Sequence, residues 1–417
     1  MISLLCNPTI LVTVMANLLA GCASTQATSM MSAPVIYRDS DIDPFAHLEA
    51  SEKVTETEIF YATNRQPKAG NGETQYGNSM EPDIHLGRAS IQMGGPDQGW
   101  NDLYRYSRGD DEAGPIPITL GEITPLAFLQ QGLVPEAHPL PEDLQRFIDA
   151  INEELANAAD KEIMLYVHGA KVGFAGSAIL TAEIDHYSGR DFVGVAFAWP
   201  SHQNIFAYLV GIDVKNAIAS SEALQRVLRL LAEYTNAEHI NILAYSAGGK
   251  VSTRALYELR QSHSELTAEQ LKSKFRLGAV AFAAIDVEVD QFLERLPSIS
   301  DMAQQVVVTV TDRDYALEAA KNFMGGAPRA GSGEVKAVEE AFIADQHLAN
   351  TEIVDVSMGH ELRGLDIEGQ HYWYRHPWMS GDIILRMRTD LPPEARGLTS
   401  LFYTSPSPRD QREHRVF

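Results

Sequence analysis

No cysteine follows residue 22. The chain has two, Cys6 and Cys22, both close to its start. The rest of it therefore has no disulfide, no thiolate metal ligand and no cysteine nucleophile to draw on. Positive charge is also scarce. Against 56 Asp and Glu stand 33 Lys and Arg, which leaves a formal charge of −23 over 417 residues. A surface of that sign disfavours nucleic acid and anionic membranes as partners and suits neutral or cationic substrates. The apolar run at residues 9–20, T-I-L-V-T-V-M-A-N-L-L-A, is too short for a bilayer span and has the length of a signal-peptide core. No internal repeat is visible.

What the chain does have is a regular alternation from Pro141 onward. Leu144, Phe147, Ile148, Ile151 and Leu155 recur at helical spacing. Short strands read at Ile163–Val167, Val193–Ala198, 240–244, Leu277–Ala283, Gln305–Val310 and Ile353–Val356. Between and after them the pattern predicts helices around Ala175–His186, Val214–Tyr234, Lys250–Arg260, Val289–Leu296 and Pro377–Arg388. Strands apolar on both faces, alternating with helices, predict an α/β fold with a doubly wound, mostly parallel sheet. Upstream, strand-like pieces stand at Glu58–Ala62 and Gly87–Met93. The Gly-, Pro-, Asn- and Asp-rich stretches 66–85 and 94–125 read as long loops, as does 325–350. With 45% hydrophobic residues the chain can build a sizeable core. The expected division is a leader at 1–21, a flexible tether at 22–50, one α/β domain at 51–400, and a non-native or disordered tail at 401–417.

The most informative segment is 240–250, I-N-I-L-A-Y-S-A-G-G-K. A short apolar strand runs into small residues, a serine and then a helix, the layout of a nucleophile elbow. Small neighbours are needed because Ser246 must stand at a sharp bend with its hydroxyl exposed. The helix N-terminus beside it offers free N–H groups to a developing oxyanion.

A serine nucleophile needs a base, and the base needs a group that fixes its tautomer. After such an elbow the acid follows first and the histidine second. Asp286 and Asp290 follow one later strand; Asp312 and Asp314 follow the next, in T-V-T-D-R-D-Y-A-L. Topology favours the second pair, and Asp314 within it, although Asp314 also stands where a helix N-cap would. Of His263, His347, His360, His371 and His376, a loop histidine beyond the last strand fits best. That is His371, with His360 next. His168-Gly169 follows the strand Ile163–Val167, as an oxyanion-hole segment does. The N–H donors would be those of Ala170 and Ala247, with His168 holding the loop.

Several motifs together give a resemblance. In order they are F-Y-A-T-N-R at Phe60–Arg65, Y-V-H-G at Tyr166–Gly169, F-A-W-P-S at Phe197–Ser201, Tyr208, Asp213, A-Y-S-A-G-G-K-V at Ala244–Val251, D-R-D-Y-A-L at Asp312–Leu317 and G-Q-H-Y at Gly369–Tyr372. The chain resembles a bacterial, esterase/lipase-like branch of the α/β-hydrolase superfamily, formerly catalogued as a domain of unknown function. That resemblance implies Ser246 as nucleophile, Asp314 as acid and His371 as base, acting on carboxylic esters with no metal or organic cofactor. Two positions depart from the family pattern. Tyr245 and Ala247 flank the serine where His and Met are usual, and Ala170-Lys171 follow His-Gly where an aromatic and Asn are usual. Both alter the pocket wall and leave the triad atoms in place.

Leu19–Cys22, L-A-G-C, resembles a bacterial lipobox. It implies cleavage before Cys22, lipid on its thiol and attachment to an envelope membrane, although residues 1–8 carry no Lys or Arg. Two other functions fit the same chain: a non-catalytic envelope lipoprotein using the fold as a binding module, and a thioesterase or amidase with the same triad.

Overall fold

Short runs rich in Val, Ile, Leu and Ala, too brief for helices and apolar on both faces, form the middle of the molecule. The computed structural model describes residues 28–39, 41–68, 75–110, 112–133, 139–204, 207–208, 210–310, 326–333, 336–355 and 377–388. Its strands are β1 (Thr28–Ser29), β2 (Glu56–Pro67), β3 (Tyr76–Met93), β4 (Pro117–Leu129), β5 (Glu162–Val167), β6 (Val193–Phe197), β7 (His239–Tyr245), β8 (Leu277–Ala283), β9 (Ala303–Val310) and β10 (Thr351–Asp355). Its helices are α1 (Val35–Asp39), α2 (Trp100–Ser107), α3 (Glu142–Asn157), α4 (Phe174–Tyr187), α5 (Ile212–Tyr234), α6 (Gly248–Gln261), α7 (Ala268–Phe275), α8 (Val289–Met302), α9 (Lys336–Asp345) and α10 (Pro377–Arg388).

Among the described residues the strands form one ten-stranded sheet in the order β1-β4-β3-β2-β6-β5-β7-β8-β9-β10. From β2 to β10 neighbours are parallel; β1, β4 and β3 add an antiparallel edge. β7 lies between β5 and β8, with Ile242 opposite Leu165 on one side and Val280 on the other. This is the expected doubly wound α/β sheet.

Successive side chains point to opposite faces, so each central strand feeds two cores. Leu165, Ile242, Val280 and Val308 pack with Leu224 of α5, Val251 of α6 and Phe292 of α8. Their neighbours Tyr166, Leu243, Ala281 and Val307 pack with Ile184 of α4 and with Ile383 and Met387 of α10. Each fully buried aliphatic side chain contributes about 1.5–3 kcal/mol. Burial on both faces is what makes these strands read as unbroken apolar runs.

Three expectations are corrected. Residues 66–85 and 94–125 are not simply loops, because β3 starts at Tyr76, α2 occupies Trp100–Ser107 and β4 starts at Pro117. Some of the Gly, Pro and Asn residues that signal turns fall at register shifts, between Thr63 and Arg65 in one pairing and at Leu86/Gly87 opposite Pro125 in another. Bulges tolerate such residues inside a ladder. Residues 325–350 likewise contain α9, whose Phe342 and Ile343 rest on the main core.

The third correction concerns the tether. From Thr28 onward the segment is packed: β1 pairs with β4, and Met30, Met31, Tyr37, Phe45 and Leu48 are buried. The Met31 N–H donates to Glu183 Oε1 at 2.6 Å, and Tyr187 Oη donates to the Met31 carbonyl at 2.7 Å. Met30, Met31 and Tyr37 pack with Ala178 and Tyr187 of α4, and Phe45 packs against Trp100 and Tyr104 of α2 and His186 of α4.

Glu183 gives this docking a pH dependence. Burial pushes its carboxyl up to about 8, with the Met31 N–H pulling the other way. Unfolded, a glutamate loses its proton near 4.5. Between those values the folded state keeps a proton that the unfolded state releases, so stability falls as pH rises through that window. Glu183→Gln keeps the acceptor for Met31 and removes the ionisation. Denaturant titrations at pH 5 and pH 8 are expected to show a smaller loss in the variant than in the parent. Equal losses would mean that Glu183 is ionised in the fold.

Candidate active site

β7 ends at Tyr245, α6 begins at Gly248, and the bend between them carries Ser246 at φ +50°. Left-handed backbone is unfavourable for a residue with a Cβ, by roughly 1–2 kcal/mol. The surroundings impose it. Ser246 N–H donates to the Ala283 carbonyl at 3.0 Å. Its own carbonyl accepts from Gly249 at 2.9 Å and from Asp286 at 3.1 Å. A Cβ on Gly248 would stand 2.3 Å from the Val167 carbonyl oxygen, and one on Gly169 would stand 3.0 Å from the Ser246 Cβ. The small residues around the serine are thus required by close approach of β5, β7 and α6. Ser246 is 2% exposed, more covered than the sequence suggests, because the His168–Gly169 segment lies against it.

That segment is held from behind. The His168 ring stacks on Trp199 with centroids 5.1 Å apart and planes 8° from parallel. Trp199 Nε1 donates to the His168 carbonyl at 2.7 Å. His168 Nδ1 is 2.7 Å from the Gly169 carbonyl oxygen, and Nε2 is 3.0 Å from that of Trp199 and 3.4 Å from Arg65 Nη2. Burial, and then the Arg65 charge, lower the imidazole to about 3. The ring is therefore neutral and carries one proton. Nδ1–H donating to Gly169, the shorter of the two carbonyl contacts, leaves Nε2 to accept from Arg65 and makes the Trp199 carbonyl a neighbour of Nε2 without a hydrogen bond. In a trans peptide the C=O and the next N–H point opposite ways. With the Gly169 carbonyl turned to His168, the Ala170 N–H is directed away from that ring. Neither the Ala170 nor the Ala247 N–H donates to any described residue, and Ala247 is fully buried. A buried N–H without an acceptor is uncommon.

Of the candidate acids, Asp286 is placed one strand beyond the nucleophile and is 1% exposed. Tyr208 Oη donates to its Oδ2, Arg329 Nε lies 3.1 Å from Oδ1, and Lys250 Nζ lies 3.6 Å from the same oxygen. None of these partners is a histidine. Asp290 is exposed in the first turn of α8. Asp312 and Asp314 lie outside the described residues, as do His360, His371 and Cys22. His263 Nδ1 faces the Leu259 carbonyl at 3.0 Å and its ring packs edge-on against Phe275. His347 is exposed.

The sequence reading did not single out Lys250 and Arg329 as partners of Asp286, nor the pair His202–Asp213. Asp213, fully buried in the first turn of α5, accepts from the His202 N–H at 3.1 Å and from Nδ1 at 2.6 Å. Asp213 stands two residues past Gly211, whose φ is +82°, and is one of the motif residues of the sequence; its pairing with His202 had no signal there. Among the described residues no group of three or more His, Cys, Asp or Glu side chains could hold a metal ion.

Residues 145–369 match the family described as "Alpha/beta hydrolase of unknown function (DUF900)". No curated protein matches the chain. A solved post-proline cleaving enzyme from Rickettsia typhi is similar at 8% identity and a TM-score of 0.28, over 75% of this chain and 50% of that one. The chain thus spans about half the length of that enzyme.

Proposed function

Because the chain belongs to the α/β-hydrolase family of unknown function DUF900, we propose that it is a serine hydrolase cleaving carboxylic esters through an acyl-enzyme. The observation that supports this most is Ser246 itself: a strained, buried serine between β7 and α6, with two backbone N–H groups on the segments beside it that have no acceptor among the described residues. In this reading Ser246 Oγ attacks the ester carbonyl and its proton passes to His371. Asp314 fixes the imidazole tautomer. The N–H groups of Ala170 and Ala247 receive the oxyanion. Collapse of the intermediate expels the alcohol, which takes the proton from His371. Water then repeats the sequence on the acyl-enzyme and releases the acid.

A fluorophosphonate probe and a chain-matched set of ester, thioester and amide substrates test this. Labelling at Ser246 with ester turnover fastest is expected. Labelling with turnover of amides or thioesters alone would change the substrate class. No labelling would leave a binding protein on a hydrolase fold.

The same proposal places the enzyme on a bacterial envelope membrane through lipid on Cys22. No helix among the described residues is long and apolar enough to cross a membrane. Mass spectrometry of protein from a bacterial host is expected to find a mature chain beginning at a lipidated Cys22. An unmodified Cys22 still joined to residues 1–21 would refute it.

A further inference from the structure

F-Y-A-T-N-R, Phe60–Arg65, is a motif that the proposed chemistry leaves without a task. It ends β2 beside the strand that leads into Trp199. Thr63 Oγ1 donates to the Ala198 carbonyl at 2.5 Å and Asn64 Nδ2 donates to Ser220 Oγ at 3.0 Å. Arg65 is fully buried. Its Nη1 donates to the carbonyls of Gly77 at 3.0 Å and Ser201 at 3.3 Å and to Asn78 Oδ1 at 3.1 Å. Its Nη2 donates to the Val172 carbonyl at 2.8 Å and faces His168 Nε2 at 3.4 Å.

The geometry points to Arg65 as a positioning residue for the oxyanion hole, fixing the His168–Val172 segment from both sides of Ala170. It rests on the reading of Ser246 as the nucleophile. Three loops meet at this one side chain: the start of β3, the turn after β6, and the segment after β5 that lies against Ser246. The two contacts to the last of these bracket the Ala170 N–H. Val172 is held by its carbonyl. His168 is held by its ring, which in turn holds the Gly169 carbonyl. A planar fork of donors fits this set and a single ammonium does not. Among the described residues no carboxylate bonds the guanidinium directly, which fits too. Burial lowers Arg65 to about 9, with Asp213 as the charge that opposes the shift. A buried cation kept this way, bonded mainly to carbonyls, is costly unless its geometry is used.

The test is steady-state ester turnover. Arg65→Lys keeps the charge and removes the fork. It is expected to lower kcat by about 100-fold with KM within about threefold, because a misplaced donor weakens the transition state rather than ground-state binding. His168→Gln leaves Arg65 intact and cuts the relay to Gly169. It is expected to show the same split to a smaller depth, and it serves as the test if Arg65→Lys lacks a cooperative thermal transition. A folded variant with kcat within about threefold of the parent would overturn the inference, and so would a raised KM with unchanged kcat. If the parent itself is not labelled by a fluorophosphonate, the nucleophile reading has failed and this inference falls with it. If the parent is labelled and the variants are unimpaired, only this inference fails.

Discussion

Ser246→Ala is expected to reduce ester turnover by about 10⁴–10⁶-fold while the protein stays folded. The side chain lost is one hydroxyl, and every backbone hydrogen bond of the bend survives its removal. Alanine carries the same Cβ as serine at φ +50°, so the strain is unchanged and Tm should move little. Ser246→Gly should be equally inactive yet more stable by about 1 kcal/mol, since glycine adopts that backbone freely. An inactivating substitution that stabilises is the signature of strain kept for function. The measurements are initial rates with a p-nitrophenyl ester and thermal melts of all three proteins. Near-parental turnover by the alanine protein would remove Ser246 from the mechanism.

The parallel half of the molecule was legible because burial on two faces writes itself as unbroken apolar runs. Leu277–Ala283 and Pro377–Arg388 occur with the bounds that pattern predicts. The elbow was legible for a related reason: close approach of three elements tolerates only small residues, and Ala244, Gly248 and Gly249 mark it. The antiparallel edge was not legible, since bulges accept the same Gly, Pro and Asn residues that mark loops. The packed N-terminal segment was hidden by composition, with Met31, Tyr37 and Phe45 scattered among polar neighbours. The network around Asp286 was hidden for another reason. Its members, Tyr208, Lys250, Asp286 and Arg329, are far apart in sequence and meet only through the topology of the sheet edge.

That network separates the candidate acids by experiment. Asp286 has two cations against one of its oxygens, the buried Arg329 at 3.1 Å and the half-buried Lys250 at 3.6 Å, and the Tyr208 hydroxyl on the other. Removing one partner of a buried ion pair strands the other, at a cost of about 3–5 kcal/mol. Asp286→Asn keeps the shape and removes one of the two carboxylates beside Arg329, which is 2% exposed and keeps Glu288 at 3.2 Å. It is therefore expected to lose about 1.5–3 kcal/mol in denaturant titrations. Its loss of kcat, read at a temperature where it is folded, should be modest. Asp314→Asn is expected to behave the opposite way. Stability should change little, and kcat should fall by about 10⁴-fold, because the imidazole loses the partner that sets its tautomer. The two substitutions together form a crossed pair in which each protein is the control for the other. If Asp286→Asn instead loses turnover by about 10⁴-fold with an unchanged unfolding free energy, Asp286 is the triad acid. The carboxylate now bonded to Tyr208, Arg329 and Lys250 would then have to exchange those partners for a histidine during turnover.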